Sequence, residues 1–232
     1  MKPVLYGVSV GPGDPELLTV KAVRTIESCD VVAAPLSRKG STHALDIAGK
    51  AVDLAEKRIL SLELPMSKDT RVLEEYYAAA ADLITSELAA GNSVALLTLG
   101  DVSIYSSFCR LKPLVEKAGY EAVAIPGVPS FCAVAAILEQ NLTPNMTTPL
   151  HIVPAGFDNL EEVLSYPGTK VIMKAGKPLE QVKQTLRNAG LYENASLVQN
   201  CGLEDEQVVH SLDDIEQEAK YLTTMVVRPD EI

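Results

Sequence analysis

The stretch Val4-Leu5-Tyr6-Gly7-Val8-Ser9-Val10-Gly11-Pro12-Gly13-Asp14-Pro15-Glu16-Leu17-Leu18-Thr19 decides the fold. Val4–Val10 is a short apolar run of the kind that a parallel sheet buries on both faces. Gly11–Pro15 then reads as a tight turn, with Asp14 placed to cap a helix and Pro15 suited to its first position. Over Pro15–Ser28 the apolar residues Leu18, Ala22 and Ile26 recur every fourth position, which predicts a helix. Strand, glycine turn and helix together open a parallel α/β sheet, and ligands of such sheets gather at the carboxyl ends of the strands. A tight turn with a cap would account for the same residues without any ligand.

The turn is not a dinucleotide fingerprint. Glu16 stands at the third glycine position, and Pro12 removes an amide that a pyrophosphate cradle would use. Pro35 and Leu36 end the second strand, where a nicotinamide-dependent oxidoreductase would place an acidic residue. The sequence also lacks a Gly-Lys-Ser or Gly-Lys-Thr phosphate loop.

Working outward, apolar runs alternate with helical patterns through the first half of the chain. Strands are expected at Val4–Val10, Asp30–Ala34, Arg58–Leu64, Ser93–Thr98 and Glu121–Ile125, and helices at Pro15–Ser28, Ser41–Leu54, Asp69–Ala90 and Ser106–Ala118. Gly91 and Gly119 stand where the last two helices should stop. The second half differs. Strands are expected at Leu150–Pro154, Thr169–Ala175, Ala195–Asn200, Glu206–Ser211 and Leu222–Val227, the third and fourth close enough to form a hairpin, so a mixed sheet is predicted. Helices at Phe157–Ser165, Pro178–Ala189 and Asp213–Ala219 should flank it. The fold class is therefore α/β, with an N-terminal α/β domain over residues 1–125 and a C-terminal one over 126–232, the boundary read at Pro126-Gly127 with the Thr/Pro/Asn-rich Asn141–Pro149 as the alternative.

The chain has 232 residues, 47% of them hydrophobic, and 20 Lys plus Arg against 31 Asp plus Glu give a formal charge of −11. That acidity argues against nucleic acid as a partner. The longest apolar runs, Val31–Leu36, Val94–Leu97 and Ala133–Leu138, fall well short of the roughly 18 residues that a membrane helix needs, so no membrane association is expected. Gly11–Asp14 breaks the first apolar run without a cleavage site, which points to a cytoplasmic protein. Cys29, Cys109, Cys132 and Cys201 form no C-x-x-C pair and read as reduced thiols. His43, His151 and His210 show no ligand spacing, and no metal site is expected.

Two further loops follow apolar strands. Leu99-Gly100-Asp101 leads into Val102-Ser103-Ile104-Tyr105, and Pro126-Gly127-Val128-Pro129-Ser130 precedes an Ala-rich helix. Asp101 has two readings, an acceptor for ligand hydroxyls or amines and a plain turn residue. What favours function is the common position of these loops after strands one, four and five.

Gly11–Thr19, Leu99–Asp101, Pro126–Ser130 and Met173 in a late strand together resemble the tetrapyrrole methylases, which use S-adenosylmethionine. The resemblance covers essentially the whole chain. Asn200–Gln207 (Asn-Cys-Gly-Leu-Glu-Asp-Glu-Gln) makes it look most like the cobalamin-pathway branch that methylates precorrin-2 or cobalt-factor II at C-20. It implies two α/β domains with the cofactor in the cleft between them, and a homodimer. Pro12, Leu99, Gly100, Asp101, Ile104, Tyr105, Pro129, Ser130, Met173 and Cys201 match the family's cofactor contacts. Three positions depart from the family's habit: Val102 where Pro often follows Gly-Asp, Pro129 where Thr or Ser is common, and Lys174 where Gly often follows the methionine.

A methyl donor of this kind needs no side-chain nucleophile, only alignment of donor and acceptor and exclusion of water. Tyr105 and His43 are positioned to take the proton that the acceptor carbon loses, though an exposed loop position is a sufficient account of each. The implied substrate carries several carboxylates, for which Arg38, Lys39, Lys174 and Lys177 are the nearest cations, with Arg38 and Lys174 preferred. Related acceptors, in diphthamide synthesis, ribosomal RNA or another corrin position, would share the cofactor motifs, and a non-catalytic ligand-binding module is the reading from another class.

Overall fold

The computed structural model describes residues 2–36, 42–65, 67, 69–215 and 220–228. The chain divides into two compact units, Met1–Pro129 and Ser130–Ile232, so it passes from one to the other four residues beyond the 125/126 boundary read from the sequence.

In the first unit, β1 (Val4–Ser9), β2 (Val31–Pro35), β3 (Arg58–Leu62), β4 (Val94–Thr98) and β5 (Glu121–Ile125) form a sheet in the order β3-β2-β4-β1-β5. Every pairing in it is parallel. Leu5, Val31, Ala33, Leu62, Val94 and Leu96 point to one face and pack with Ala80, Ala81, Ile84 and Leu88 of α3 (Thr70–Ala89) and Phe108, Leu111 and Val115 of α4 (Phe108–Lys117). On the other side lie α1 (Val20–Ser28), which contributes buried Ala22 and Ile26, and α2 (His43–Ala51), which contributes Ala44, Ile47 and Ala48. The inner strands β1, β2 and β4 are covered on both faces, which is why they read as continuous apolar runs rather than as alternating ones.

One predicted helix is interrupted. Asp14 caps only a 3₁₀ turn, Pro15–Leu17, its Oδ1 accepting from Glu16 N at 2.9 Å. Leu18 and Thr19 then return to extended backbone, and Thr19 Oγ1 caps α1 by accepting from Ala22 N at 3.1 Å. A second cap within the motif competes with the helix, which the four-residue spacing alone does not reveal.

In the second unit, α5 (Ser130–Ile137) precedes a sheet of β6 (Leu150–Pro154), β7 (Thr169–Met173), β8 (Ala195–Gln199), β9 (Gln207–Val209) and β10 (Thr223–Val227), in the order β6-β7-β10-β8-β9. β6 and β7 are parallel, β10 runs antiparallel to both β7 and β8, and β8–β9 is the expected hairpin. Ile172, Leu197, Met225 and Val227 face α6 (Leu160–Ser165) and α7 (Leu179–Asn188), while α5 lies along β10. Of the helix expected over Asp213–Ala219, the described residues form a 3₁₀ turn at Leu212–Asp214 capped by Ser211, with Ile215 extended; 216–219 lie outside the described residues.

Candidate functional site

The three loops expected at the carboxyl edge of the first sheet do come together, and their ties are specific. Gly11 and Gly100 form an isolated backbone bridge between the loops after β1 and β4. Ser9, fully buried at the end of β1, donates its hydroxyl to Ile125 O of β5 and accepts from Val102 N of the β4–α4 loop, both at 2.8 Å. Asp101 Oδ1 accepts from Ser103 N at 2.8 Å and from Ser103 Oγ, and its Oδ2 accepts from Gly127 N at 2.7 Å. Thr19, the last residue of the first motif, reaches Pro126 O at 3.4 Å.

Both oxygens of Asp101 are thus engaged by protein donors, and the residue is 8% exposed. Burial alone would raise its pKa; hydrogen bonds from the Ser103 hydroxyl and the Gly127 and Ser103 amides outweigh that and hold the carboxyl below its usual value. Gly127 has to be glycine, since a Cβ there would lie 2.4 Å from Ser9 Cβ. Around this knot, Pro12 and Gly100 are buried, Leu99, Ile104 and Pro129 are half-buried, and Tyr105 is exposed with φ at 49°. A non-glycine residue in the left-handed region is strained, and such strain concentrates at ligand sites.

Met173, Ser130, Lys174 and Cys201 belong to the second unit. Met173 ends β7 and stands opposite Thr224 of β10, whose hydroxyl lies 3.5 Å from that of Ser130 at the start of α5. Lys174, next in the chain, is exposed with φ at 58°, and desolvation by surrounding protein lowers its ammonium pKa. Its left-handed backbone explains why glycine is the commoner choice there. Buried Cys201 follows Asn200, which has φ at 51°.

The loop carrying Cys201 is fastened by its own polar residues. Gly202 N donates to Glu206 Oε2 at 2.6 Å, Lys220 Nζ pairs with Asp205 Oδ2 at 2.6 Å, and Gln199 Oε1 accepts from Lys220 N at 2.6 Å. The Lys220 hydrogen bond holds the Asp205 carboxyl below its usual pKa. The acidic residues of Asn200–Gln207 therefore shape a loop.

Arg38 and Lys39 lie outside the described residues, and His43 is exposed at the start of α2. Sequence reasoning missed Ser9; the available signal was a lone serine in the apolar run Val4–Val10.

Residues 11–15, 99–105 and 126–130 contain no lysine or arginine. With the Asp101 oxygens engaged and Pro12 lacking an amide, these loops are poorly built for phosphate. Their apolar side chains and main-chain polar groups fit a nucleoside carrying a sulfonium cation, and the residues present are compatible with S-adenosylmethionine.

The comparisons agree with this geometry. The family described as Tetrapyrrole (Corrin/Porphyrin) Methylases matches residues 4–216. A probable cobalt-precorrin-2 C(20)-methyltransferase of Methanocaldococcus jannaschii is 34% identical, the match covering 97% of this chain and 95% of that one. The cobalt-precorrin-2 C(20)-methyltransferase of Salmonella typhimurium is 30% identical over 96% and 95%. Among solved structures, a cobalt precorrin-4 methyltransferase superposes with a TM-score of 0.76 at 21% identity, covering 97% of this chain and 94% of that one. The uroporphyrin-III C-methyl transferase of Thermus thermophilus, solved with S-adenosyl homocysteine, gives 0.71 at 20% identity, covering 97% of each chain. A matching family profile over most of the chain, on this sheet order and with these loops at the carboxyl strand ends, shows that the chain belongs to the tetrapyrrole methylase family.

Proposed function

We propose that this chain is an S-adenosylmethionine-dependent C-methyltransferase acting at C-20 of precorrin-2, with or without cobalt, in cobalamin biosynthesis. The observation that carries the reading is the convergence of the loops after β1, β4 and β5, together with two C(20)-methyltransferase relatives at 30% and 34% identity over nearly the whole chain. S-adenosylmethionine, when bound, supplies a methyl group already activated on a sulfonium.

Pro12, Leu99, Gly100, Asp101, Ile104, Tyr105 and Pro129 of the first unit, with Ser130, Met173 and Cys201 of the second, are the proposed contacts to the cofactor. Their work is to orient it and to exclude water, which suffices for a donor of this reactivity. Lys174 and Arg38 supply local positive charge for the acceptor's carboxylates, which a protein of charge −11 otherwise repels at long range. Cobalt, where present, enters with the substrate. The active species is a cytoplasmic homodimer.

The test is anoxic incubation with methyl-labelled S-adenosylmethionine and either precorrin-2 or its cobalt complex. Label at C-20, located by NMR, is the expected result, and the ratio of rates on the two acceptors identifies the natural one. Label at another ring position, or none on either acceptor, would overturn the reading.

A further inference from the structure

We infer that Ser9 is a positioning residue for the cofactor: its hydroxyl, acting with the Asp101 carboxylate, locks three loops into the one arrangement that takes an adenosyl sulfonium. The inference rests on the methylase reading above and adds to it a residue that touches no ligand group.

β1 pairs with β4 as far as Ser9↔Thr98, and with β5 as far as Val8↔Ile125. On the β4 side backbone bonds go on through Val10 N–H to Thr98 O at 2.9 Å and the Gly11–Gly100 bridge, whereas the ladder with β5 stops at Ile125. The Ser9 hydroxyl adds a side-chain tie to both neighbours at once, accepting from Val102 N and donating to Ile125 O. Asp101 closes the third side by joining its own loop to Gly127 N.

Each pair of loops is therefore tied to the other: first to second by Gly11–Gly100 and Ser9–Val102, first to third by Ser9–Ile125 and Thr19–Pro126, second to third by Asp101–Gly127. A closed triangle of this kind is stiffer than its separate bonds, because no loop moves without breaking ties to both others. Stiffness matters for affinity, since a site ordered in advance spends none of its binding energy on ordering loops.

The knot is built for serine. Alanine at position 9 would take the acceptor from the Val102 amide and one donor from the Ile125 carbonyl, and the close approach of Gly127, where an added Cβ would lie 2.4 Å from Ser9 Cβ, leaves little room for a larger residue. The neighbouring Ser103 hydroxyl is a weaker member, since it leans on Asp101 from an exposed loop position.

The experiment compares the full-length wild type with Ser9→Ala, Asp101→Asn and Ser103→Ala. S-adenosylhomocysteine affinity is measured by calorimetry, methyl transfer by KM and kcat, and amide hydrogen exchange on the ligand-free protein. Ser9→Ala is expected to weaken S-adenosylhomocysteine about tenfold and to raise the KM for S-adenosylmethionine equally, with kcat at saturating cofactor within about twofold of wild type. Exchange at the Val102 and Gly127 amides should accelerate in the same variant. A residue that merely supports the fold would lower the active fraction, and so kcat, without moving KM.

Wild-type Kd and KM in Ser9→Ala overturn the inference. If Ser9→Ala does not fold, Ser103→Ala, which loosens the same knot without being a proposed cofactor contact, carries the same measurements at a smaller size, and an unchanged KM in it overturns the inference. Failure of the wild type to bind S-adenosylhomocysteine would instead remove the methylase reading, and the exchange rates would still show whether Ser9 ties the loops.

Discussion

Gly11 and Gly100 exchange two backbone hydrogen bonds, Gly100 N–H to Gly11 O at 2.7 Å and Gly11 N–H to Gly100 O at 3.3 Å, and each has φ at 74°. Two loops leaving parallel strands thus meet in antiparallel sense, which requires both chains to curl through the left-handed region that a Cβ disfavours.

Alanine at either position is expected to cost about 1–2 kcal/mol from backbone strain alone. Gly11→Ala also crowds its surroundings, because its new Cβ would sit 3.3 Å from both Leu17 Cβ and Leu17 O. Urea unfolding of the two variants checks the cost, and both should bind S-adenosylhomocysteine more weakly than wild type.

Lys174→Gly separates strain from charge. Relief of the left-handed backbone at φ 58° should stabilise the protein by up to about 1 kcal/mol in chemical denaturation. Loss of the ammonium should meanwhile raise the KM for the tetrapyrrole and leave S-adenosylhomocysteine affinity unchanged. A variant both more stable and fully active would remove Lys174 from the substrate site.

Asp101 makes stability depend on pH in a defined direction. Its folded pKa lies below the unfolded value of 3.8, so the carboxylate's contribution is complete above that pH and is lost as pH falls through the folded value. Asp101→Asn should flatten this part of the acid limb in urea titrations between about pH 2 and 5. At neutral pH the same variant should cost about 1–3 kcal/mol, because one donor of the knot then faces an amide instead of an oxygen.

Thr169 Oγ1 is a buried side-chain oxygen without a hydrogen-bond partner, on a residue that is 0% exposed at the start of β7. Thr169→Val keeps the shape and removes the desolvated hydroxyl, so it should be neutral or stabilising by about 1 kcal/mol. Thr169→Ala, which opens space in the same place, should destabilise. A valine variant less stable than the alanine one would contradict this account.

Much of the fold was legible because its inner strands are continuous apolar runs and its helices carry clear stripes: β5 and β6 also fall where the pattern puts them, and α3 begins one residue after its Asp69 cap. The break at Leu18 was not legible, since Thr19 caps a helix only if the chain before it is extended, and spacing cannot report backbone angles. At the candidate site, the loops could be found from their positions after strands. The commitments of Asp101 could not, because Ser103 is its near neighbour but Gly127 comes from another crossover. Ser9 stayed hidden for the same reason: its partners lie 93 and 116 residues away.

β10 occupies the middle of its sheet although it is the last of the described strands. During synthesis the first sheet has all its strands once Ile125 is out of the ribosome. The second remains two unjoined pieces, β6–β7 and β8–β9, until Val227 emerges to zip them together. Nascent chains stalled between those points should resist protease across the five strands of the first sheet and be cut readily after Ile125, so errors in finishing this protein should arise almost entirely in its later half.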